Sequence, residues 1–219
     1  IPEEIPNLKK KIKTYSEYES KLILKKNKIP IPKSLVTNKK NILRDSKKIG
    51  FPLVAKINSN TVFHKTEIGG VVTNINSEKE LKKKTNKFTG NILIEKMITD
   101  NVFEMIIGIK NDNEFGPTII LGAGGIYTEL FKDTTTLLLP LTKRMIMEEI
   151  KKLKFSKILF GFRGKNSGDL DALVSSILKI AKFAENNYDK ISEVDINPLI
   201  VCKKGKGVFA VDALIHYFK

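Results

Sequence analysis

The chain has few of the residues that build disulfide frameworks, zinc sites and membrane spans. It contains one cysteine, Cys202, which excludes a disulfide framework and a cysteine-based zinc site. No apolar run reaches the length of a membrane span, and the first residues do not resemble a signal peptide. We therefore expect a protein of the reducing cytoplasm. The first residue is Ile1 rather than Met, as expected of a fragment, a processed product or one half of a longer polypeptide.

The common nucleotide-binding motifs are also missing. There is no Gly-x-x-x-x-Gly-Lys-Ser/Thr loop and no Gly-x-Gly-x-x-Gly before a helix, which argues against a P-loop or a Rossmann site. Glycines do occur at 69–70 and at Gly122, Gly124 and Gly125, where they would let backbone N–H groups approach a phosphate. Glycines alone do not define such a site.

Positive charge dominates the composition, because 39 Lys and Arg residues outnumber 24 Asp and Glu residues and give a net charge of +15. That charge suits nucleic acid or a polyanionic small molecule. The lysines are spread over helix-like segments together with Asn and Ile, without interleaved aromatic residues for base stacking. The pattern favours solvated helix faces, and a basic nucleic-acid-binding module remains the alternative from a different functional class.

Hydrophobic periodicity predicts an α+β protein with two lobes. The predicted helices are 14–28, 38–48, 77–88, 142–153 and 167–187, and the predicted strands are 51–58, 68–75, 91–97, 102–109, 116–125, 192–201 and 207–215. We place the hinge near Glu95, which divides the chain into an N-terminal lobe, 1–94, and a C-terminal lobe, 95–219.

The last two predicted strands carry acidic residues where apolar ones are expected. Asp195 and Asp212 lie in the middle of these runs, and an unpaired buried carboxylate is costly. Side chains alternate along a strand, so Asp195 and Asn197 share one face, and pairing of the two strands would bring Asp212 alongside. Two carboxylates and an amide oxygen suit Mg²⁺ with phosphate. The alternative is that lysine or backbone donors satisfy the carboxylates.

Three further charged residues, Lys56, Glu95 and Glu104, interrupt predicted apolar strands. A single such residue usually lies on the solvated face of an edge strand. Together with Asp195 and Asp212 they make five, which indicates one site. A buried lysine can neutralise phosphate oxygens, and Asp and Asn oxygens can hold a Mg²⁺ that bridges phosphates. A glutamate on the connecting strand can accept a hydrogen bond from an adenine amino group or a ribose hydroxyl.

His64 is one of two histidines and lies in a predicted polar loop, 59–67, between two strands. A lone loop histidine is usually a surface residue. Its imidazole is partly neutral near pH 7 and is chemically able to attack phosphorus. The second histidine, His216, is interpreted as structural or solvated.

Eight blocks of sequence occur in the order of a known family: Val54–Ile57, His64–Val71, Ile94–Met97, Glu104–Lys110, Phe115–Pro117, Leu121–Gly125, Gly161–Gly164 and Glu193–Ile200. They resemble the ATP-grasp subunit of ADP-forming acetyl-CoA synthetases. This subunit belongs to the NDP-forming acyl-CoA synthetase superfamily, alongside the succinyl-CoA synthetase β subunit. The His-Lys-Thr and Asp-Ile-Asn-Pro-Leu blocks are the specific ones. The resemblance runs from about residue 14 to the end.

The resemblance implies an ATP-grasp fold, in which two α+β lobes clamp a magnesium nucleotide between antiparallel sheets. It implies the reaction acyl-CoA + ADP + Pi ⇌ acid + CoA + ATP, with Mg²⁺ and ATP or ADP bound here. It also implies a hetero-oligomer with a CoA-binding α subunit, or a fused domain, on which a first phosphohistidine forms. That half is missing from these residues, so we expect the chain alone to bind nucleotide without making acyl-CoA.

The same resemblance implies a role for each candidate residue. His64 would carry the phosphoryl group across to the nucleotide site. The implied nucleotide contacts are Lys56 on the phosphates, Glu95 and Glu104 on the adenine and ribose, and Gly124, Gly125 and Arg163 as further phosphate candidates. The implied magnesium ligands are Asp195, Asn197 and Asp212, the first of which is a glutamate in the succinyl enzyme.

Three other interpretations remain open. The chain could be a succinyl-CoA synthetase β-like subunit, which the His-Lys-Thr block disfavours, or another ATP-grasp ligase. It could also be a regulatory nucleotide-binding domain that has lost catalysis.

Overall fold

Two antiparallel sheets organise the computed structural model, which describes residues 11–59, 69–112, 114–125 and 133–219. The smaller sheet has four strands in the order β2 (Ser34–Thr37), β5 (Ile92–Lys96), β3 (Leu53–Ile57) and β4 (Val71–Ile75). Two helices belong to this part of the chain, α2 (Ile42–Ile49) and α3 (Glu78–Lys84). Buried residues of β3, β5 and both helices form its own hydrophobic core.

The larger sheet has seven strands within the described ranges. Six follow the order β1 (Ile12–Thr14), β11 (Ala213–Phe218), β9 (Ile191–Cys202), β6 (Asn101–Asp112), β7 (Gly116–Ala123) and β8 (Thr134–Leu138), and β10 (Val208–Ala210) pairs with β9. The remaining described helices are α1 (Glu17–Lys26), α4 (Lys143–Lys152), α5 (Ser156–Leu159) and α6 (Leu170–Asn186). The second core lies against this sheet.

Local sequence explains where α1 and α6 begin. Ser16 and Glu19 form a capping box at the start of α1, in which each side chain accepts a hydrogen bond from the other residue's backbone N–H. Asp169 caps α6 and also accepts a hydrogen bond from Gly207 N at 2.8 Å. One apolar stripe of α6 is buried and includes Leu173, Ile177 and Ile180. None of the helices in the described ranges is long and apolar enough to cross a membrane.

The N-terminal elements pack on the larger sheet although they precede the smaller sheet in the chain. β1 pairs with β11, and the buried residues Leu24 and Ile29 join the larger core. The predicted division into 1–94 and 95–219 does not follow this packing. Its boundary falls inside β5, and the whole of β5 belongs to the smaller sheet. Helical periodicity shows which face of α1 is buried, but it does not show which sheet covers that face.

The aromatic contact under β6 offers a test of the larger core. Phe155 is 1% exposed, and its ring stacks on Phe103 with centroids 4.6 Å apart. We predict that Phe155→Ala lowers the free energy of unfolding by about 3–5 kcal/mol, since it leaves a cavity. Urea unfolding measures the change, with Phe115→Ala as the control because Phe115 is 64% exposed. Equal effects of the two substitutions would contradict this packing.

Candidate active site

A cleft of about 370 Å³ lies where the two sheets meet. Lys56 and Glu95 line it from the smaller sheet. Glu104, Asn197 and Asp212 line it from the larger sheet and the segment that leads into β11. The structure therefore brings these five predicted site residues to one cleft, although they are far apart in the sequence.

Strand pairing places the three candidate metal ligands side by side. Asp195 of β9 is opposite Leu214 of β11, and Asn197 N donates a hydrogen bond to Asp212 O at 3.2 Å. Val194 and Ile196 are buried in the core, so the side chains of Asp195 and Asn197 take the opposite face. The predicted pairing of the two closing runs is confirmed, but the second run, 207–215, forms two strands, β10 and β11, and Asp212 lies between them.

The acidic residues of this group repel one another. Burial raises the pKa of Asp195, and the nearby carboxylates of Asp212 and Glu193 raise it further, to about 6. Within the described ranges, no lysine, arginine or histidine forms an ion pair with Asp195. A cation between Asp195 and Asp212 would relieve this repulsion.

The donor set fits magnesium by its chemistry. Asp195, Asn197 and Asp212 offer only oxygen atoms, which are the ligands that Mg²⁺ prefers. Among the described residues, no three acidic, histidine or cysteine side chains are grouped so that they could hold a metal. A metal bound by Asp195 and Asp212 would therefore need the amide oxygen of Asn197 as its third protein ligand. Asp195 lies beside the cleft and is not part of its lining.

Lys56 belongs to a buried ion cluster that contains two residues not predicted from the sequence, Glu17 and Lys21. Its Nζ lies 2.7 Å from Glu17 Oε1 and 2.9 Å from Glu95 Oε1, and it donates a hydrogen bond to Val211 O at 2.6 Å. Lys21 contacts the same two glutamates, at 2.8 Å from Glu17 Oε1 and 2.6 Å from Glu95 Oε2. Lys21 is fully buried, and Lys56 is 5% exposed.

The cluster keeps Lys56 charged. Burial lowers the pKa of Lys56, but the carboxylates of Glu95, Glu17 and Asp212 outweigh burial and raise it above its usual value. A fixed positive charge therefore faces the acidic group of the larger sheet across the cleft.

A sequence signal for the two missed residues does exist. Glu17, Lys21 and Leu24 are spaced by four and three residues, so they share the buried face of α1. Two charged residues on the apolar face of an amphipathic helix indicate buried partners. The partner strand, however, lies 74 residues further along the chain, and periodicity does not identify it.

Glu95 and Glu104 have different surroundings. Each carboxylate oxygen of Glu95 lies against a lysine, so its side chain acts as a counter-ion. Glu104 is half-buried, and burial raises its pKa. A contact of either residue with adenine or ribose stays a prediction.

Gly124 and Gly125 lie directly against β6 beside Glu104. Gly124 N donates a hydrogen bond to Glu104 O at 2.8 Å, and a Cβ at Gly124 would lie 2.8 Å from the backbone carbon of Met105. Gly125 has a φ of +58°, and a Cβ there would lie 2.1 Å from Glu104 Oε2. Close backbone approach explains both glycines, and their contact with phosphate stays a prediction.

Arg163 lies in a different place from the other candidates. It lines a second cleft, of about 640 Å³, together with Lys165 and Lys203, and Asn101 lines both clefts. Its guanidinium carbon lies 5.2 Å from the centre of the Phe162 ring. The structure does not bring Arg163 to Lys56. His64 lies outside the described residues, and its catalytic role stays a prediction.

Removal of one acidic charge tests the candidate metal site. We predict that Asp195→Asn raises the melting temperature in EDTA, because it relieves repulsion with Asp212, and that it weakens Mn²⁺ binding. Each kcal/mol of relief corresponds to roughly 2–4 °C. Differential scanning calorimetry and Mn²⁺ titration measure the two effects, and the exposed Asp189→Asn variant is the control. A lower melting temperature for Asp195→Asn in EDTA would instead support carboxylates already satisfied by protein donors.

Comparison with known proteins places these residues in a family. The model of the ATP-grasp domain family matches residues 7–216. The β subunit of acetate–CoA ligase (ADP-forming) II from Pyrococcus furiosus is 35% identical over 212 residues, covering 91% of this chain and 89% of that subunit. The 4-hydroxybutyrate–CoA ligase (ADP-forming) of Nitrosopumilus maritimus is 37% identical over 212 residues, which are 91% of this chain but only 30% of that longer protein.

A solved structure agrees with both results. It is the dinucleotide forming acetyl-coenzyme A synthetase 1 of Ca. Korarchaeum cryptofilum, in complex with coenzyme A and Mg-AMPPCP, with its phosphohistidine segment pointing towards the nucleotide binding site. The TM-score is 0.83 at 34% identity, over 94% of this chain and 93% of that chain. The fold predicted from the sequence blocks is thus confirmed. The chain belongs to the ATP-grasp family, in the group that contains the β subunits of ADP-forming acetate–CoA ligases.

Proposed function

We propose that this chain is the nucleotide-binding subunit of an ADP-forming acyl-CoA synthetase, with acetyl-CoA as the expected acyl-CoA. With its partner it catalyses acyl-CoA + ADP + Pi ⇌ acid + CoA + ATP. The observation that carries the proposal is the cleft between the sheets. It holds a buried lysine on one side and the oxygen donors Asn197 and Asp212 on the other.

The cleft supplies what phosphoryl transfer to ADP requires. Lys56 provides a permanent positive charge for the phosphates, because its own pKa is raised. Asp195, Asn197 and Asp212 would hold Mg²⁺, which neutralises and bridges phosphate oxygens when it is bound.

His64 is the proposed carrier of the phosphoryl group. Its ring nitrogen attacks the phosphorus of the partner's phosphohistidine, so one P–N bond forms as the other breaks. A terminal phosphate oxygen of ADP then attacks the same phosphorus, which forms ATP and returns the free imidazole. The phosphohistidine segment of the Korarchaeum enzyme, which points towards the nucleotide site in that protein, supports a transfer of this kind.

A separate CoA-binding subunit is the proposed partner. The related Pyrococcus protein is a β subunit and therefore has at least one other subunit, whereas the Nitrosopumilus ligase is a longer chain. We propose that the partner carries the first phosphohistidine and selects the acid. The identity of the acyl group would then be a property of the partner.

The role of Lys56 predicts a loss of nucleotide affinity on its removal. Lys56→Met should weaken ADP binding by about 10- to 100-fold, because one charge-assisted contact is lost. Isothermal titration calorimetry of the chain with ADP and Mg²⁺ measures the change. Lys152→Met is the matched control, since that lysine is exposed and pairs with Glu149 of its own helix, α4. Unchanged affinity of Lys56→Met would contradict the proposed function.

The role of His64 predicts a block in phosphoryl transfer. With the CoA-binding partner and γ-labelled ATP present, the wild type should place an acid-labile label on the partner, and His64→Ala should not. His216→Ala is the control, because His216 lies 2.9 Å from Thr14 Oγ1 in the pairing of β1 with β11. Equal labelling of the partner by wild type and His64→Ala would refute the relay.

A further inference from the structure

The contacts of Lys56 raise a question about how it reaches a phosphate. An ammonium group has three N–H donors. Three oxygens already lie within 2.9 Å of Lys56 Nζ, namely Glu17 Oε1, Glu95 Oε1 and Val211 O. A nucleotide phosphate can therefore contact this ammonium only by replacing one of the three.

Replacement of a carboxylate is costly unless that carboxylate keeps another cation. A buried charge left unpaired by the loss of its partner destabilises a protein strongly. Lys21 prevents that outcome, because its Nζ contacts Glu17 and Glu95 at the same time. Either glutamate can release Lys56 and still retain a lysine.

Lys21 is the lysine of the cluster that does not reach the cleft. It is fully buried, and neither it nor Glu17 belongs to the lining of the cleft. Its helix is attached to the larger sheet, where Ser20 Oγ accepts a hydrogen bond from Ile215 N at 3.2 Å. Lys56, in contrast, comes from β3 of the smaller sheet and reaches the cleft.

We propose that Lys21 is a positioning residue for nucleotide binding, a reserve counter-ion that lets Lys56 exchange a carboxylate of Glu17 or Glu95 for a phosphate of ADP. Both glutamates compete with the phosphate in this exchange, and Glu17 is the one that does not line the cleft. The inference rests on the proposed function, in which Lys56 contacts the nucleotide phosphates.

The proposal predicts opposite effects for two neighbouring substitutions. Lys21→Met leaves Lys56 between two buried carboxylates that have lost their second cation, so Lys56 is held more tightly. ADP binding should weaken about tenfold. Glu17→Gln removes one competing charge while keeping the side chain's shape, so ADP binding should stay equal or become tighter. A purely structural role for the pair predicts either no change in affinity or losses in both variants.

The experiment is calorimetric titration of the full chain with ADP and Mg²⁺ for each variant, together with the melting temperature of the ligand-free protein. The double variant Lys21→Met/Glu17→Gln removes one charge of each sign and should recover the affinity lost in Lys21→Met. Lys152→Met and Glu149→Gln, which remove an ion pair within α4 and outside the lining of the cleft, are the matched controls and should not change affinity. If Lys21→Met does not fold, Glu17→Gln and the double variant still decide the question, because weaker ADP binding in both would overturn the proposal.

The outcomes separate this inference from the proposed function. If the wild type does not bind ADP, or if Lys56→Met binds it equally well, the proposed function fails. If ADP binding depends on Lys56 but Lys21→Met and Glu17→Gln both weaken it, or neither changes it, only the counter-ion role of Lys21 is wrong.

Discussion

The ion cluster around Lys56 is the interaction on which the geometry of the cleft depends. Lys56 and Glu95 come from the smaller sheet, whereas Glu17 and Lys21 come from a helix attached to the larger sheet. Buried charges are expensive to desolvate, and they are tolerated only where each one has close partners. Two lysines and two glutamates satisfy one another here at 2.6–2.9 Å. The cluster therefore links the two sheets at the back of the site.

The opposite side of the cleft is arranged differently. Asp195 and Asp212 lie close enough for each charge to disfavour the other, and burial adds to the cost at Asp195. A divalent cation bound between the two carboxylates would offset this repulsion. Functional sites commonly break the rules that stabilise the rest of a fold. The ion cluster thus balances its charges internally, and a bound cation would balance the carboxylates on the other side.

Sequence patterns predicted much of this arrangement. Alternation along β9 predicts that Asp195 and Asn197 share one face, and pairing of the two closing strands brings Asp212 alongside. Lys56 stood out because it interrupts an apolar strand. Local periodicity carries no information on contacts between distant segments, however. The pairing of Glu17 and Lys21 with Glu95, and the packing of α1 on the larger sheet, could not be predicted for that reason. Arg163 was grouped with the phosphate candidates by motif, but it lines a separate cleft.

We propose that Lys56 and the oxygens of the two closing strands hold one magnesium nucleotide between them. A crystal structure of the chain with Mg²⁺ and ADP tests it most directly. We expect a metal ion about 2.0–2.1 Å from oxygens of Asn197 and Asp212, and a phosphate oxygen within hydrogen-bonding distance of Lys56 Nζ. ADP phosphates bound in the second cleft beside Arg163 and Lys203, with Lys56 still held by all three of its present oxygens, would contradict it.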